Sequence, residues 1–356
     1  MKTILPALAL TPVLVLAALV APSQPAAAQP ASAQPVLTVG RAQGTTRPPA
    51  VIFDTDMDFD DAATLAYLSQ EHRAGRIDLR AITVTEAGAG LPGRAIRHAR
   101  CLAQRLGLRG VAVADSPATG PNSFPADLRQ LFDRVLTAAT PGCAGDETPS
   151  RTRAPELIRR LVRAEPSTQI IATGPLTNVA AALPYSAARL TTMGGAVAVG
   201  GNLCCGTPPE FDGSQEFNYW LDPAAARAAL TRSRGSVRMV SLDAADEVPI
   251  TAAFLDRLAA GHGAPAADTV LEIVTHPEVR PLIDAGLLYW WDPLAAMSAV
   301  HPGHVTFTAG RVDVVTDGPS AGRTVLSPSG RLLRYGTAAG TAAFERRFLD
   351  TLNGRT

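Results

Sequence analysis

From residue 50 onward, short apolar runs alternate with amphipathic stretches. AVIFDT (50–55) is an unbroken apolar run that ends in polar residues, as expected of a strand buried on both faces. LRAITVT (79–85), GVAVAD (110–115), TQIIATG (168–174), LTTMGGAVAVGG (190–201) and SVRMVSLD (236–243) predict further strands. Helices are predicted between them, from about Asp60 to Arg73 and over 93–107, 125–138, 154–165, 175–183 and 222–232. Pro175 is placed in the first turn of its helix, where its missing N–H costs nothing. VTFTAGRVDVVT (305–316) and RTVLSPS (323–329) predict a C-terminal β-hairpin. This order argues for a single α/β domain with a mostly parallel, doubly wound (Rossmann-like) sheet and helices on both faces.

The first 49 residues follow a different pattern. Met1-Lys2, an apolar run and the small-residue exits at Ala26-Ala27-Ala28 and Ala31-Ser32-Ala33 predict a secretory signal. Pro6 and Pro12 interrupt the run and argue against a membrane anchor. The expected organisation is a signal peptide over 1–28, a flexible Pro/Ala/Gln lead over 29–49 and the domain over 50–356. The expected location is secreted or extracytoplasmic, with no stable membrane association after cleavage.

Composition narrows the chemistry. Basic and acidic residues balance at 32 each, so no basic stripe points to nucleic acid. Lys2 is the only lysine, which excludes a Walker-type phosphate loop, a Schiff-base lysine and a general-base lysine in the mature protein. Of the four cysteines, Cys101 falls on a helical segment and reads as a buried thiol. Cys143 and one of Cys204 or Cys205 are expected to form a long-range bridge, which export would permit.

The polar motifs gather behind the strands. DTDMDFDD, TGPLTN, GGNLCCG and LDAADE each follow a predicted strand, where α/β sheets bind ligands. The first crowds Asp54, Asp56, Asp58, Asp60 and Asp61 into eight positions. Capping of the next helix explains one or two of these carboxylates, not five. A dense all-oxygen set without a local lysine suits a hard dication, calcium or magnesium.

DTDMDFDDA (54–62), IATGPLTNVA (171–180), MGGAV (193–197), GGN (200–202), QEFNYWLDP (215–223) and WDPLAA (291–296) occur in an order that resembles the inosine–uridine-preferring nucleoside hydrolases. These are calcium-dependent enzymes that cleave N-ribosides to base and ribose. The resemblance runs from about residue 50 to about 300. It implies that Asp56, Asp61, the Thr173 backbone carbonyl and Asp292 hold Ca2+, and that Asp60, Asn202, Glu216 and Asn218 grip the ribose. Asp56 is implied as the catalytic group that orients and deprotonates a calcium-bound water. Where many members carry a histidine before the last aspartate, this chain has Trp291, which points to stacking on a purine base. Where many carry Gly-Asn after the second strand, it has Ala89, with Glu86 nearby. The implied partner is a small ribonucleoside; the resemblance is compatible with a homo-oligomer.

Two other readings are carried forward. One is a non-catalytic ribose- or calcium-binding protein on the same scaffold. The other is a haloacid-dehalogenase-like phosphatase, whose opening motif VIFDTDMD resembles. Asp58 stands where that family expects Thr or Val, and the mature chain has no lysine to steady a phosphate.

Overall fold

A computed structural model describes residues 47–143 and 145–355. The expected signal (1–28) and the expected lead as far as residue 46 lie outside the described residues.

One nine-stranded sheet runs through the fold. In chain order its strands are β1 (Ala50–Thr55), β2 (Asp78–Thr85), β3 (Ala112–Ser116), β4 (Gln169–Ala172), β5 (Arg189–Met193), β6 (Ser236–Val240), β7 (Val305–Val314), β8 (Thr324–Leu326) and β9 (Arg331–Ala339). In space the order is β3-β2-β1-β4-β5-β6-β9-β7-β8. The first six strands pair in parallel and β9 continues parallel to β6. Only β7 runs against its two neighbours. The chain winds outward from β1 through β2 to β3, then returns to the far side of β1 and winds outward through β4, β5 and β6. The direction therefore reverses between β1 and β4, and the crevice beyond their carboxyl ends is where such a sheet takes a ligand.

Two apolar layers cover the sheet. One holds Phe53, Ile82 and Ile171 against helices that include Phe59–Arg73 and Trp291–Val300. The other holds Ile52, Ile170 and Leu190 against Ala154–Ala164 and Pro223–Arg232. The alternation of Ile52 and Phe53, and of Ile170 and Ile171, between the layers is the period-2 geometry of a strand with two buried faces.

Several expectations are corrected. The strand read over 190–201 ends at Met193, because Gly194 and Gly195 turn with φ 148° and 79°. Beyond that turn the backbone serves side chains instead: Val197 N–H donates to Asp243 Oδ2 at 2.8 Å, and Ala198 and Val199 to its Oδ1 at 2.6 and 3.0 Å. The hairpin at the C-terminus exists, but β8 pairs with β7 over three residues, whereas β9 pairs with it over eight positions. Pro175 precedes its helix, which begins at Thr177. Both cysteine expectations fail: Cys101 is bonded to Cys143, and Cys204 to its neighbour Cys205. Among the described residues no helix is long and apolar enough to cross a membrane.

Candidate active site

The crevice between β1 and β4 opens into a cavity of about 450 Å3. Asp56, Asp60, Thr173, Asn202, Glu216, Asn218, Trp291 and Asp292 all line it, so eight of the nine residues singled out in the sequence meet in one place. The ninth, Asp61, sits fully buried behind that wall.

The acidic wall is built by one tight turn. Met57 takes a left-handed φ of 61°, which lets the chain leave β1 and enter the helix Phe59–Arg73 within three residues. Asp58 caps that helix: Asp60 and Asp61 N–H donate to its Oδ1 at 3.1 and 3.2 Å, and Asp58 N–H donates to Asp61 Oδ2 at 3.1 Å. Such a capping box satisfies orphan donors at both ends of the turn. It also fixes where the carboxylates point. Thr173, at the end of β4, donates its hydroxyl to Asp61 Oδ1 at 2.6 Å, and Asp292 N–H donates to Asp60 Oδ2 at 3.1 Å. The first turn of the helix Trp291–Val300 is thereby locked to the first turn of Phe59–Arg73.

Asp56 is held from two loops. Ala89 N–H donates to its Oδ2 at 2.5 Å. A Cβ at Gly88 would lie 1.9 Å from the same oxygen, and one at Gly174 would lie 2.7 Å from Oδ1, so only glycine lets the two loops close on this carboxylate. Position 89, read from the sequence as a lost polar contact, therefore contributes through its backbone.

The residues assigned to the ribose join the acidic wall through Thr173. Glu216 caps the short helix Phe217–Leu221 and accepts from Asn218, Gly195 and Tyr219 N–H at 2.8, 3.0 and 3.1 Å. Asn218 Nδ2 donates to the Thr173 carbonyl at 2.7 Å. Asn202 Oδ1 accepts from Phe217 N–H at 2.9 Å. Trp291 donates its indole N–H to Asp246 Oδ1 at 2.8 Å and lies against Tyr289, ring centroids 5.3 Å apart. Its neighbour Trp290 is fully buried against Phe254 and Phe348, so the two adjacent tryptophans divide between core and cavity.

The electrostatics of this wall are unbalanced. Burial first, then the charges around them, raises Asp56, Asp58 and Asp292 well above the usual carboxylate range. Burial lifts Asp60 to about 7 against the hydrogen bond from Asp58, and lifts Glu216 to about 7 in spite of three backbone donors. The ion pairs among the described residues include none to these aspartates. Carboxyl oxygens of Asp58, Asp60 and Asp292 come within 4.8 Å of one another. That grouping shares Asp292 with the set read from the sequence and adds Asp58, which sequence reasoning left aside. A hard divalent cation fits this donor set: it is all oxygen, crowded, buried and without an ion pair of its own, Arg129 reaching Asp56 only at longer range.

Apolar side chains complete the lining. Phe124, Leu128 and Phe132, from the helix Ala126–Ala138 and the turn before it, face the cavity together with Phe217, Tyr289 and Leu287. The sequence signalled none of the first three, because their helical spacing looks like any core face.

Residues 51–346 match the family model described as inosine-uridine preferring nucleoside hydrolase. The chain belongs to that family. It is 27% identical over 286 residues to a probable uridine nucleosidase 2 of Oryza sativa subsp. japonica, covering 77% of this chain and 80% of the relative. It is 31% identical over 239 residues to the pyrimidine-specific ribonucleoside hydrolase RihA of Citrobacter koseri, covering 63% and 69%. Among solved structures, an inosine-uridine preferring nucleoside hydrolase from Bacillus anthracis superimposes with a TM-score of 0.75 at 25% identity, covering 86% of this chain and all of that one. The protein is thus an enzyme that hydrolyses the N-glycosidic bond of nucleosides, and the family is metal-dependent, in keeping with the buried acidic cluster.

Proposed function

We propose that this is an exported, Ca2+-dependent ribonucleoside hydrolase that prefers purine ribosides. The observation that carries the reading is the convergence of the acidic cluster, the Asn202/Glu216/Asn218 wall and Trp291 on one cavity. Asp56, Asp61, the Thr173 carbonyl and Asp292 would hold the ion. When bound, it would offset the carboxylates' repulsion and make water a stronger acid. Asp56, fixed by Ala89 N–H, takes the proton from the attacking water. Asp60 accepts from the ribose hydroxyls, with Asn202, Glu216 and Asn218 on the other side of the sugar. As the C–N bond breaks, positive charge develops on the ribose, and this ring of carboxylates favours it.

Trp291 is oriented by its bond to Asp246 and backed by Tyr289, which suits it to stack on a flat base. The aromatic side chains that line the cavity with it, Phe124, Phe132, Phe217 and Tyr289, support a flat, apolar base. The Oryza and Citrobacter relatives are named for uridine and for pyrimidine ribosides and the Bacillus anthracis structure for inosine and uridine, which makes uridine the competing substrate. Export is supported by the pairing of all four cysteines, a pattern of oxidising compartments.

A panel of inosine, guanosine, uridine and cytidine, assayed for released reducing sugar with excess chelator and after Ca2+ is restored, tests the reading. Inosine and guanosine should exceed uridine in kcat/KM, and chelator should abolish every rate reversibly. Full activity in chelator would remove the calcium role; faster uridine would reverse the base preference. A further arm addresses Trp291. Stacked on the base, the electron-rich indole would favour its protonated, leaving form, so Trp291→Ala should cost about 100-fold or more in turnover on inosine, the scale of a lost proton-transfer contribution. It should cost far less on nitrophenyl riboside, whose leaving group needs no proton.

A further inference from the structure

Cys204 and Cys205 line the cavity, yet neither belongs to the acidic end nor to the ribose wall. They are adjacent residues joined by a disulfide, with Cα atoms 3.8 Å apart, and so form a closed eight-membered ring. The ring carries no side-chain donor. It brings two polarisable sulfurs to the cavity that Phe217, Tyr289 and Trp291 also line. Both cysteines are solvent-exposed, so the ring contributes nothing to the core. Cys205 and Gly206 take successive left-handed conformations, φ 59° and 99°, and Thr207 N–H closes back on the Cys204 carbonyl at 3.2 Å. A non-glycine residue avoids that region, so closure of the ring, not local preference, holds Cys205 there.

The root of the same loop is fixed independently. Asn202 N–H donates to the Gln215 carbonyl at 3.0 Å, and Asn202 Oδ1 accepts from Phe217 N–H at 2.9 Å. Neither bond involves residues 203–207. The ribose-side residue is therefore anchored without the disulfide, and the ring is free to serve the other end of the ligand.

We propose that the Cys204–Cys205 ring is a specificity-determining wall for the nucleobase, packing its sulfurs against the flat face or edge of the base while Asn202 holds the sugar. The inference rests on the nucleoside reading of the cavity. Sulfur–aromatic contacts of this kind contribute a factor of about three to ten in affinity.

Calorimetric titration separates the two ends of the ligand. The probes are formycin B, a purine-like riboside whose carbon–carbon glycosidic bond resists hydrolysis, and ribose alone. The protein is oxidised wild type, wild type in dithiothreitol, and the Cys204→Ser, Cys205→Ser double variant, each loaded with Ca2+. Formycin B should bind about three- to ten-fold more weakly to the reduced protein and to the variant, ribose should bind all three alike, and dithiothreitol should add nothing to the variant. That last arm removes any effect of reducing Cys101–Cys143. Unchanged formycin B affinity would overturn the proposal. So would a proportional loss for both probes, which would make the ring a tether for Asn202. Failure of the nucleoside reading shows elsewhere, as no reducing sugar from inosine or uridine with the wild type.

Discussion

The two ends of the helix Phe59–Arg73 treat buried acid in opposite ways. At its start, Asp60 and Asp61 join Asp56, Asp58 and Asp292 without an ion pair, Arg129 acting on Asp56 only from longer range, and burial and crowding hold most of them above the usual carboxylate range. About 16 Å along the same helix, by its rise per residue, Glu71 is equally hidden from solvent but lies among Arg76, His301 and Arg347. Burial pushes Glu71 up, yet the hydrogen bonds from His301 and Arg76 outweigh it and bring its pKa down to about 2. The fold can evidently neutralise a buried carboxylate with its own arginines. That it does so at one end and not at the other separates an acid kept for architecture from acids kept for chemistry.

Three experiments can break or sharpen that contrast. The largest effect is expected at the unpaired end. Asp56→Asn keeps an acceptor for Ala89 N–H and removes one charge, so activity should fall by about 1000-fold or more. The melting temperature in chelator should stay level or rise, because one source of repulsion is gone. With Ca2+ at saturating concentration the wild type should gain several degrees over its chelated form, and the variant much less. A large loss of stability in Asp56→Asn without metal would make this aspartate a structural group like Glu71.

The paired end should respond in reverse. Glu71→Gln leaves Arg76 and Arg347, with His301, facing one neutral amide, and breaking a buried ion-pair cluster costs about 3 kcal/mol. kcat/KM measured well below the melting transition should be unchanged. If it drops with the Asp56 variant, the two ends are coupled through the helix and the division of labour fails.

The smallest effect is in the acid limb of stability. Glu71 has a folded pKa near 2 and an unfolded value of about 4.3. A depressed carboxylate stabilises the fold above its unfolded pKa and loses that contribution as pH falls through the folded one. Wild-type melting temperature should therefore decline between about pH 4.5 and 2 more steeply than that of Glu71→Gln. Parallel curves would show that the arginines do not act on Glu71.

Much of this was legible in the residues. The apolar run of β1, the aspartates behind it and the Thr173-Gly174 turn behind β4 stand out because they combine strong periodicity with an abrupt change to polar residues. The doubly wound sheet and the meeting of Asp56 and Asn202 followed from placing their motifs at strand ends, whereas Glu216, Asn218 and Asp292 were implied only by the family resemblance. What was missed is long-range or locally ordinary. β9, RLLRYGTAA, mixes arginines and a glycine on a half-exposed strand and so lacks an apolar signature. GGAVAV read as strand because apolarity alone does not reveal that Asp243 and Glu216 claim its N–H groups. Asp58 was counted in the acidic cluster but given no role of its own, yet it organises the turn. The cysteine pairing could not be read from spacing, since Cys101 and Cys143 meet only after two helices fold together.

That last pairing has a bearing on where the chain can be made. The Cys101–Cys143 bridge closes a loop of 42 residues and ties the helix Ala95–Arg105 to the end of the helix that carries Leu128 and Phe132. Closing a loop of that length removes enough freedom from the unfolded chain to be worth about 4 kcal/mol on a chain-entropy account, a large part of the net stability of an ordinary domain. A host cytosol that keeps thiols reduced would withhold this increment from every newly made copy, and the aromatic end of the cavity would be the first region to loosen. Production in an oxidising compartment, or with a disulfide isomerase present, should decide whether soluble enzyme or inclusion bodies accumulate.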